Sequence, residues 1–216
     1  MTDKRILIDK AAGKLTMALA VSACLLLALI AWGLLRRSMP ILEQKSLYDL
    51  LLSSSWKPLK GNFGFLPFIM GSLYVTGVAM LIAVPLSLLS SIYLSEYAGR
   101  RTRNAAEPLI DLLAGIPSVV YGVWGVLTVV PFVKHLAGSF GIFTTGYSVL
   151  SAGIVLAIMV LPIIIHIATE VFNSIPTDLR NASLSLGATK WQTVKHVVVP
   201  RAMPGIIAAV VLGLSR

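Results

Sequence analysis

Cysteine and charge are both scarce in this sequence. Cys24 is the single cysteine among 216 residues, so the chain has neither the partner for an internal disulfide nor the residues for a cysteine-based metal site. Charged residues make up 12% of the chain, against roughly 25% in soluble domains, whereas 56% of the residues are hydrophobic. This balance excludes an ordinary soluble domain and predicts a protein with several membrane-spanning segments.

The short motifs of common catalytic sites are absent too. The sequence has no Gly-x-x-x-x-Gly-Lys-Ser/Thr phosphate-binding loop, no His-Glu-x-x-His, no Gly-x-Ser-x-Gly and no cluster with metal-ligand spacing. We therefore expect no enzymatic activity, no cofactor and no metal. If ATP drives the protein, another subunit must hydrolyse it.

Four apolar runs are long enough to cross a bilayer. The first, Leu15 to Leu35, would be about 31 Å long as a helix, which matches a hydrocarbon core of about 30 Å. The others extend from Phe68 to Leu94, from about Leu109 to Val133 and from about Gly146 to Ala168. A fifth run, Pro204 to Arg216, would reach only about 20 Å. The sequence predicts an all-α membrane bundle with four complete spanning helices and a partial fifth.

Lys and Arg residues flank these runs and predict their orientation. The net charge of +9 would suggest a nucleic-acid partner in a soluble protein, but here the basic residues lie in short loops, where they orient helices in the bilayer. Their counts fit a cytoplasmic N-terminus at 1–14, a first spanning helix at 15–35 and an external loop at 36–67. The external loop is the exception to the pattern, because it carries five basic residues.

Residues 176–200 form a polar elbow between two apolar segments. Leu179, Ala182 and Leu186 recur at helical spacing, and Gly187 can adopt a left-handed turn. Thr189 and Gln192 have the spacing of a capping box that opens a further helix. Two short amphipathic helices are therefore expected to meet at the glycine.

This elbow resembles the cytoplasmic EAA loop of ABC importer permeases. That loop has Glu-Ala-Ala, three residues, Gly, nine residues and then Ile-x-Leu-Pro, and the spacing is intact here, although Asn181 replaces the Glu and Ser183 replaces the second Ala. The resemblance implies docking to an ATPase through Asn181, Ala182, Ser183, Leu186, Gly187, Trp191 and Pro200. The alternative is an amphipathic surface loop without a partner.

Longer stretches resemble one subfamily, the PstC-type permease subunits of bacterial phosphate-specific ABC transporters. The match covers about Trp56 to Arg216, and its most specific part is Ala114-Gly115-Ile116-Pro117-Ser118-Val119-Val120-Tyr121-Gly122. The resemblance implies a permease domain over 68–216 in the bacterial inner membrane. It also implies phosphate import with a second, PstA-type permease subunit, a pair of ATPase subunits and an external phosphate-binding protein.

The end of the chain departs from that subfamily. Its members continue into Ala-Leu-Gly-Glu-Thr and a further spanning helix, so the permease domain is expected to be incomplete. Arg216 matches a family arginine that, with the following Glu, is thought to line the phosphate path. With a short last helix, Arg216 is expected to retreat to an interface and to contribute no phosphate site. A permease for molybdate or sulfate, and a nonfunctional truncated fragment, remain alternatives.

Three ionisable residues near or within the apolar runs have expected roles. Glu96, beside Tyr97 and three arginines, is expected to anchor a helix at the membrane interface. Asp111 lies about one turn into the third run, where an unpaired carboxylate is costly, so it too is expected at the interface. His166 lies on an apolar face and is expected to be a packed or hydrogen-bonded core residue.

Overall fold

The computed structural model describes residues 2–216 of the chain, and the side chains of residues 9–43 and 45–216. Over this range the structure is helical with no β-strand, and its one extended pairing is an isolated bridge between Lys57 and Asn62. Two compact units are present, Met1–Phe68 and Ile69–Arg216. The all-α class expected from the sequence is confirmed.

The first unit contains one long helix and a compact loop. Helix α1 covers Thr2–Gln44, so the predicted first spanning helix continues through residues 36–44, which had been expected to form a loop. Helix α2 (Leu47–Leu52) and a short 3₁₀ turn (Pro58–Lys60) follow. Trp56 packs against three phenylalanine rings at centroid distances of 5.0–6.1 Å, which gives this loop a small aromatic core.

The remaining helices form a bundle. In chain order they are α3 (Leu66–Ile92), α4 (Arg100–Gly115), α5 (Ser118–Trp124), α6 (Val130–Ser139), α7 (Val149–Ser174), α8 (Thr177–Ser185), α9 (Lys190–Thr193) and α10 (Val199–Leu214). Widened π-helical turns occupy Tyr93–Tyr97, Gly125–Val129 and Val194–Val198. The π turns join α5 to α6 and α9 to α10 without a break, so each pair forms one continuous helix.

Two of the π turns have an identifiable cause. Pro131 and Pro200 each follow a π turn by two residues. Proline has no N–H to donate, and its ring collides with the carbonyl group four residues earlier in an ordinary α-helix. Because a wider turn moves that carbonyl aside, the helix continues through the proline instead of ending there.

The core of the second unit lies along α7. Ala157, Ile164, Ala168 and Phe172 are fully buried on one face of this helix, at the spacing of a helical stripe. Alanines of α3 and α10 pack against that stripe. Gly213 lies so close to α7 that an added Cβ would come within 2.7 Å of Ile164 Cγ1. Small residues therefore allow close approach of the helix backbones, as is common between membrane helices.

Within the residues that the structure describes, five helices are long and apolar enough to cross a membrane. They are Asp9–Glu43, Leu66–Tyr97, Ser118–Ser139, Val149–Ser174 and Lys190–Leu214. The last corrects an expectation from the sequence, because the fifth helix has 25 residues and would be about 37 Å long. It begins after the capping box at Thr189, well before Pro204, and continues through Pro200 and Pro204 without a break.

The third predicted run also differs from the structure. Instead of one helix from Leu109 to Val133, α4 ends at Gly115 and a new helix begins at Ser118. Ile116 adopts an extended conformation (φ −67°, ψ 128°), the conformation favoured before a proline, and Pro117 follows it. The buried Tyr121 bridges this break by donating a hydrogen bond from its hydroxyl to the Leu113 carbonyl at 2.9 Å.

Candidate functional site

The first arm of the elbow is α8, which ends at the predicted glycine. Gly187 has φ +83°, a left-handed conformation that most side chains disfavour. The Gly187 N–H donates to the Leu184 carbonyl at 3.0 Å, and the Ala188 N–H donates to the Ser183 carbonyl at 3.3 Å. This pair of bonds is the Schellman motif, which satisfies the free carbonyls at the end of a helix. The expected turn is confirmed.

The second arm begins with the predicted capping box. The Gln192 N–H donates to the Thr189 hydroxyl, and the Gln192 side chain accepts from the Thr189 N–H at 2.8 Å. A hydroxyl contact of 3.0 Å between Ser183 and Thr193 then joins the two arms. These bonds fix the angle of the elbow.

The surface of the elbow is apolar at its bend. Leu186 is 89% exposed and Trp191 is 55% exposed. Of the other predicted docking residues, Asn181, Ala182, Gly187 and Pro200 are exposed, and Ser183 is partly buried. The structure therefore brings Asn181 to Trp191 together on one elbow, whereas Pro200 lies further along the following helix.

A buried ion pair ties the elbow to the rest of the bundle. The Arg180 guanidinium donates to both carboxylate oxygens of Glu96, with a shortest N–O distance of 2.7 Å. It also donates to the carbonyl oxygens of Phe172 and Ile175. The Glu96 side chain is only 8% exposed and that of Arg180 17%. Arg180 thus links α8, the end of α7 and the π turn after α3.

This pair corrects the role expected for Glu96. The carboxylate is buried against an arginine instead of anchoring a helix at a membrane surface. The two residues lie 84 positions apart, so only the packing of α3 and α7 brings them together. The sequence signal available was one acid just after the second predicted spanning run and one arginine within the predicted elbow.

Arg216 lies at the other end of the helix that begins in the elbow. Its guanidinium donates from Nη2 to the Ile116 carbonyl at 3.2 Å. That contact places it beside the break between α4 and α5, next to the first turn of the Ser118–Ser139 helix. The elbow and Arg216 are thus at opposite ends of one helix of about 37 Å.

The expected burial of His166 is wrong. Its side chain is 45% exposed and lies between two carboxylates, those of Asp111 and Glu170. The face of α7 that carries His166 meets α4, which is amphipathic rather than a spanning helix. His166 therefore lies on a polar surface and not in the expected apolar core.

Replacing Arg180 should destabilise the protein strongly. Arg180→Gln leaves the buried Glu96 carboxylate without its counter-charge and two carbonyls without their donor, so we expect a loss of about 3 kcal/mol in unfolding free energy. The matched control is Arg201→Gln, because Arg201 is exposed. Its effect should stay below about 0.5 kcal/mol. Denaturant unfolding in detergent micelles measures the unfolding free energy of both variants. An unfolding midpoint for Arg180→Gln equal to that of the unsubstituted chain would show that the ion pair does not hold the elbow.

The chain resembles known transport permeases over most of its length. It is 43% identical to the probable ABC transporter permease protein YqgH of Bacillus subtilis, over 78% of this chain and 54% of that protein. It is 34% identical to the phosphate transport system permease protein PstC of Mesorhizobium japonicum, over 93% of this chain and 66% of that protein. The PstC protein of Xylella fastidiosa strain 9a5c is 38% identical, over 76% of this chain and 55% of that protein. The chain spans between 54% and 66% of the length of these three relatives.

A solved structure supports the fold. The MetNI methionine ABC transporter, in an inward-facing form, aligns with a TM-score of 0.57 at 24% identity, covering 68% of this chain and 66% of that one. Residues 83–216 match the family described as binding-protein-dependent transport system inner membrane component. This range contains four of the five long apolar helices in whole or in part, together with the complete elbow. The chain is a multi-pass membrane protein that belongs to this family of transport-system inner-membrane components.

Proposed function

We propose that this chain is the transmembrane permease subunit of an ATP-driven importer of inorganic phosphate. The observation that carries the proposal is the elbow, which is apolar and exposed at its bend, and is held by the buried ion pair between Glu96 and Arg180. The substrate is proposed from the two PstC proteins, which are named for phosphate transport.

The proposed partners follow from the family of transport-system inner-membrane components to which the chain belongs. A pair of ATPase subunits supplies the energy, and the given sequence itself contains no phosphate-binding loop. A second, PstA-type permease subunit completes the pathway, and an external phosphate-binding protein delivers the anion. The N-terminus and the elbow lie on the cytoplasmic side, where the ATPase is, as the distribution of Lys and Arg favours.

In this proposal the elbow is the docking surface for the ATPase. Leu186 and Trp191 enter a groove on the ATPase, and Gly187 and Pro200 set the shape of the docking segment. Movement of the ATPase pulls on α8, and the pair between Arg180 and Glu96 passes that movement to the helix bundle. A conformational switch of this kind requires ATPase contacts that differ between its two states.

Arg216 is the proposed contact for phosphate along the path. A guanidinium binds phosphate oxygens through two parallel hydrogen bonds. The adjacent helix N-terminus at Ser118 adds partial positive charge and free N–H groups. The earlier expectation that Arg216 retreats to an interface depended on a short last helix. The last helix has 25 residues instead, and its end packs against Ile164 near the middle of α7, so Arg216 lies beside the bundle core and the break before Ser118.

Disrupting the bend should separate the chain from its ATPase. Leu186→Asp places a charge in the apolar contact, so we expect about tenfold or greater loss of ATPase association when the complex is purified through a tag on this chain. Leu186 is 89% exposed, so the variant should fold normally. Leu59→Asp is the matched control, because Leu59 is a fully exposed leucine in the first unit. Undiminished association of the Leu186 variant contradicts the docking surface.

Uptake of radiolabelled phosphate tests the substrate. The chain is expressed together with its partner subunits in cells that lack their own corresponding permease. We expect uptake that is competed by unlabelled phosphate and not by equal concentrations of molybdate or sulfate. Strong competition by either of those anions would favour the alternative substrate. Absence of uptake despite an assembled complex would favour a chain that does not transport.

A further inference from the structure

Helix α4 has an extended joint at each of its ends. Ala98 and Gly99, the first joint, precede it with ψ angles of 134° and 162°. Ile116 and Pro117, the second joint, follow it with ψ angles of 128° and 140°. Extended residues at the end of a helix can absorb a change in its direction through a few backbone angles. The joints therefore leave α4 as a separate rigid helix of 16 residues, about 24 Å long.

Helix α4 takes little part in the core of the second unit. None of its residues is buried, and within the described residues none belongs to the apolar cluster that α3, α7 and α10 share. An open cavity of about 270 Å³ separates part of α4 from α7, with Ile110, Asp111 and His166 among its lining residues. An element held by few buried apolar contacts is displaced with little free energy. A displacement of α4 as a whole therefore requires less free energy than one of α7 or α10.

Arg103 ties the start of α4 to the π turn Tyr93–Tyr97, which we call the junction turn. Its guanidinium donates twice to the Leu94 carbonyl and once to the Ser95 carbonyl, at distances of 2.6–3.1 Å. The last carbonyl groups of a helix lack a donor within the helix and carry partial negative charge, which favours a cation there. Arg103 thus holds the first turn of α4 to the end of α3 across the first joint.

Both arms of the elbow attach to the same junction turn. On the first arm, Arg180 of α8 donates to the Glu96 carboxylate. On the second arm, the Lys190 ammonium lies 4.7 Å from the centre of the Tyr97 ring, within the range of a cation–π interaction. A displacement of either arm therefore acts on the junction turn, to which Arg103 joins α4.

The far end of α4 meets the proposed phosphate contact. The carbonyl of Ile116, in the second joint, accepts a hydrogen bond from Arg216 Nη2 at 3.2 Å. The buried Tyr121 donates to the carbonyl of Leu113, in the last turn of α4, at 2.9 Å. A shift of α4 therefore changes the position of the Ile116 carbonyl relative to the Arg216 guanidinium.

We infer that α4 is a lever that switches the surroundings of Arg216 when the elbow moves, and that Arg103 is the positioning residue that connects the lever to the elbow. In the second state of the switch, the bond between Arg216 and the Ile116 carbonyl is broken, which leaves Nη2 free for an anion. The inference rests on the proposed function, which requires such a switch. It adds a route from the elbow to Arg216 that is separate from the helix Lys190–Leu214.

The ratio of phosphate transported to ATP hydrolysed tests the role of Arg103. The complex is purified with all partner subunits and reconstituted in vesicles. Arg103→Gln removes the charge that holds the junction turn, so this ratio should fall about tenfold, within the usual range of coupling between two sites. Arg103→Lys keeps the charge and should restore part of the ratio. An unchanged ratio with Arg103→Gln overturns the inference.

Arg101→Gln is the matched control, because Arg101 is an exposed arginine of the same helix. Its ratio should equal that of the unsubstituted chain. A purely structural role of Arg103 would lower assembly, ATP hydrolysis and transport together and leave the ratio unchanged, which also contradicts the lever.

Bridging α4 to α7 tests the lever with the junction turn intact. Asp111→Cys and His166→Cys are introduced after Cys24→Ala, since the side chains of Asp111 and His166 are 3.1 Å apart. A short bis-methanethiosulfonate reagent then joins the two thiols through disulfides. Phosphate uptake by the reconstituted complex should fall about tenfold or more and return after reduction. Full uptake by the bridged complex overturns the inference.

Two controls separate restraint of α4 from obstruction of a path. Each single-cysteine variant, treated with the same reagent, should keep its uptake. A longer and flexible reagent of the same chemistry leaves α4 free to move, so most of the uptake should remain. Equal inhibition by the short and the long reagent would indicate obstruction and would contradict the lever.

The inference and the proposed function can fail separately. If the complex with the unmodified chain imports no phosphate, the proposed function is wrong and the lever with it. If that complex imports phosphate and the Arg103 and bridged variants do so at the same ratio to ATP, only the lever is wrong. Leu186→Asp should lower recovery of the ATPase, whereas Arg103→Gln should not, which distinguishes docking from coupling.

Discussion

The position of the elbow depends on the ion pair between Arg180 and Glu96. Arg180 takes part in five hydrogen bonds, to the Glu96 carboxylate and to two carbonyl groups at the end of α7. A buried pair of this kind adds little to stability when compared with apolar side chains that pack equally well, but breaking it leaves a charge without compensation. It therefore acts mainly to fix geometry. The elbow can move only if the π turn after α3 and the end of α7 move with it.

One helix connects the two proposed functional regions. The helix from Lys190 to Leu214 begins in the elbow and leads to Arg216, which contacts the break before Ser118. A π turn lets it pass through Pro200, and its small residues pack closely on α7. In the proposed function, this continuous and closely packed helix would carry a displacement from the ATPase to Arg216. The break at Pro117 lies beside Arg216 and is followed by the N-terminus of a helix.

Local features were predicted well from the sequence because they depend on neighbouring residues. The left-handed turn at Gly187 and the capping box at Thr189 follow from residue types at fixed spacing. The membrane class follows from composition. The length of the fifth helix was missed, because Lys190, Lys195 and His196 resemble loop residues although the capping box begins a helix there.

Features that depend on helix pairing could not be predicted in the same way. The contact between Glu96 and Arg180 joins residues 84 positions apart, and the exposure of His166 depends on which face of α7 meets α4. Hydropathy alone did not predict the helix break at Pro117, since apolar residues continue on both sides of it. The proline signal was present, but proline also occurs inside α3, α7 and α10, where the helix continues.

The central claim is that the ion pair holds the elbow in the position that docks to the ATPase. Site-specific cross-linking from the bend tests it most directly. A cysteine is placed by Leu186→Cys after Cys24→Ala removes the exposed native thiol, and cross-linking to the ATPase is measured in membranes. We expect an efficient cross-link that is largely lost when Arg180→Gln is added. Equal cross-linking with and without Arg180, or no cross-link to the ATPase at all, would contradict the account.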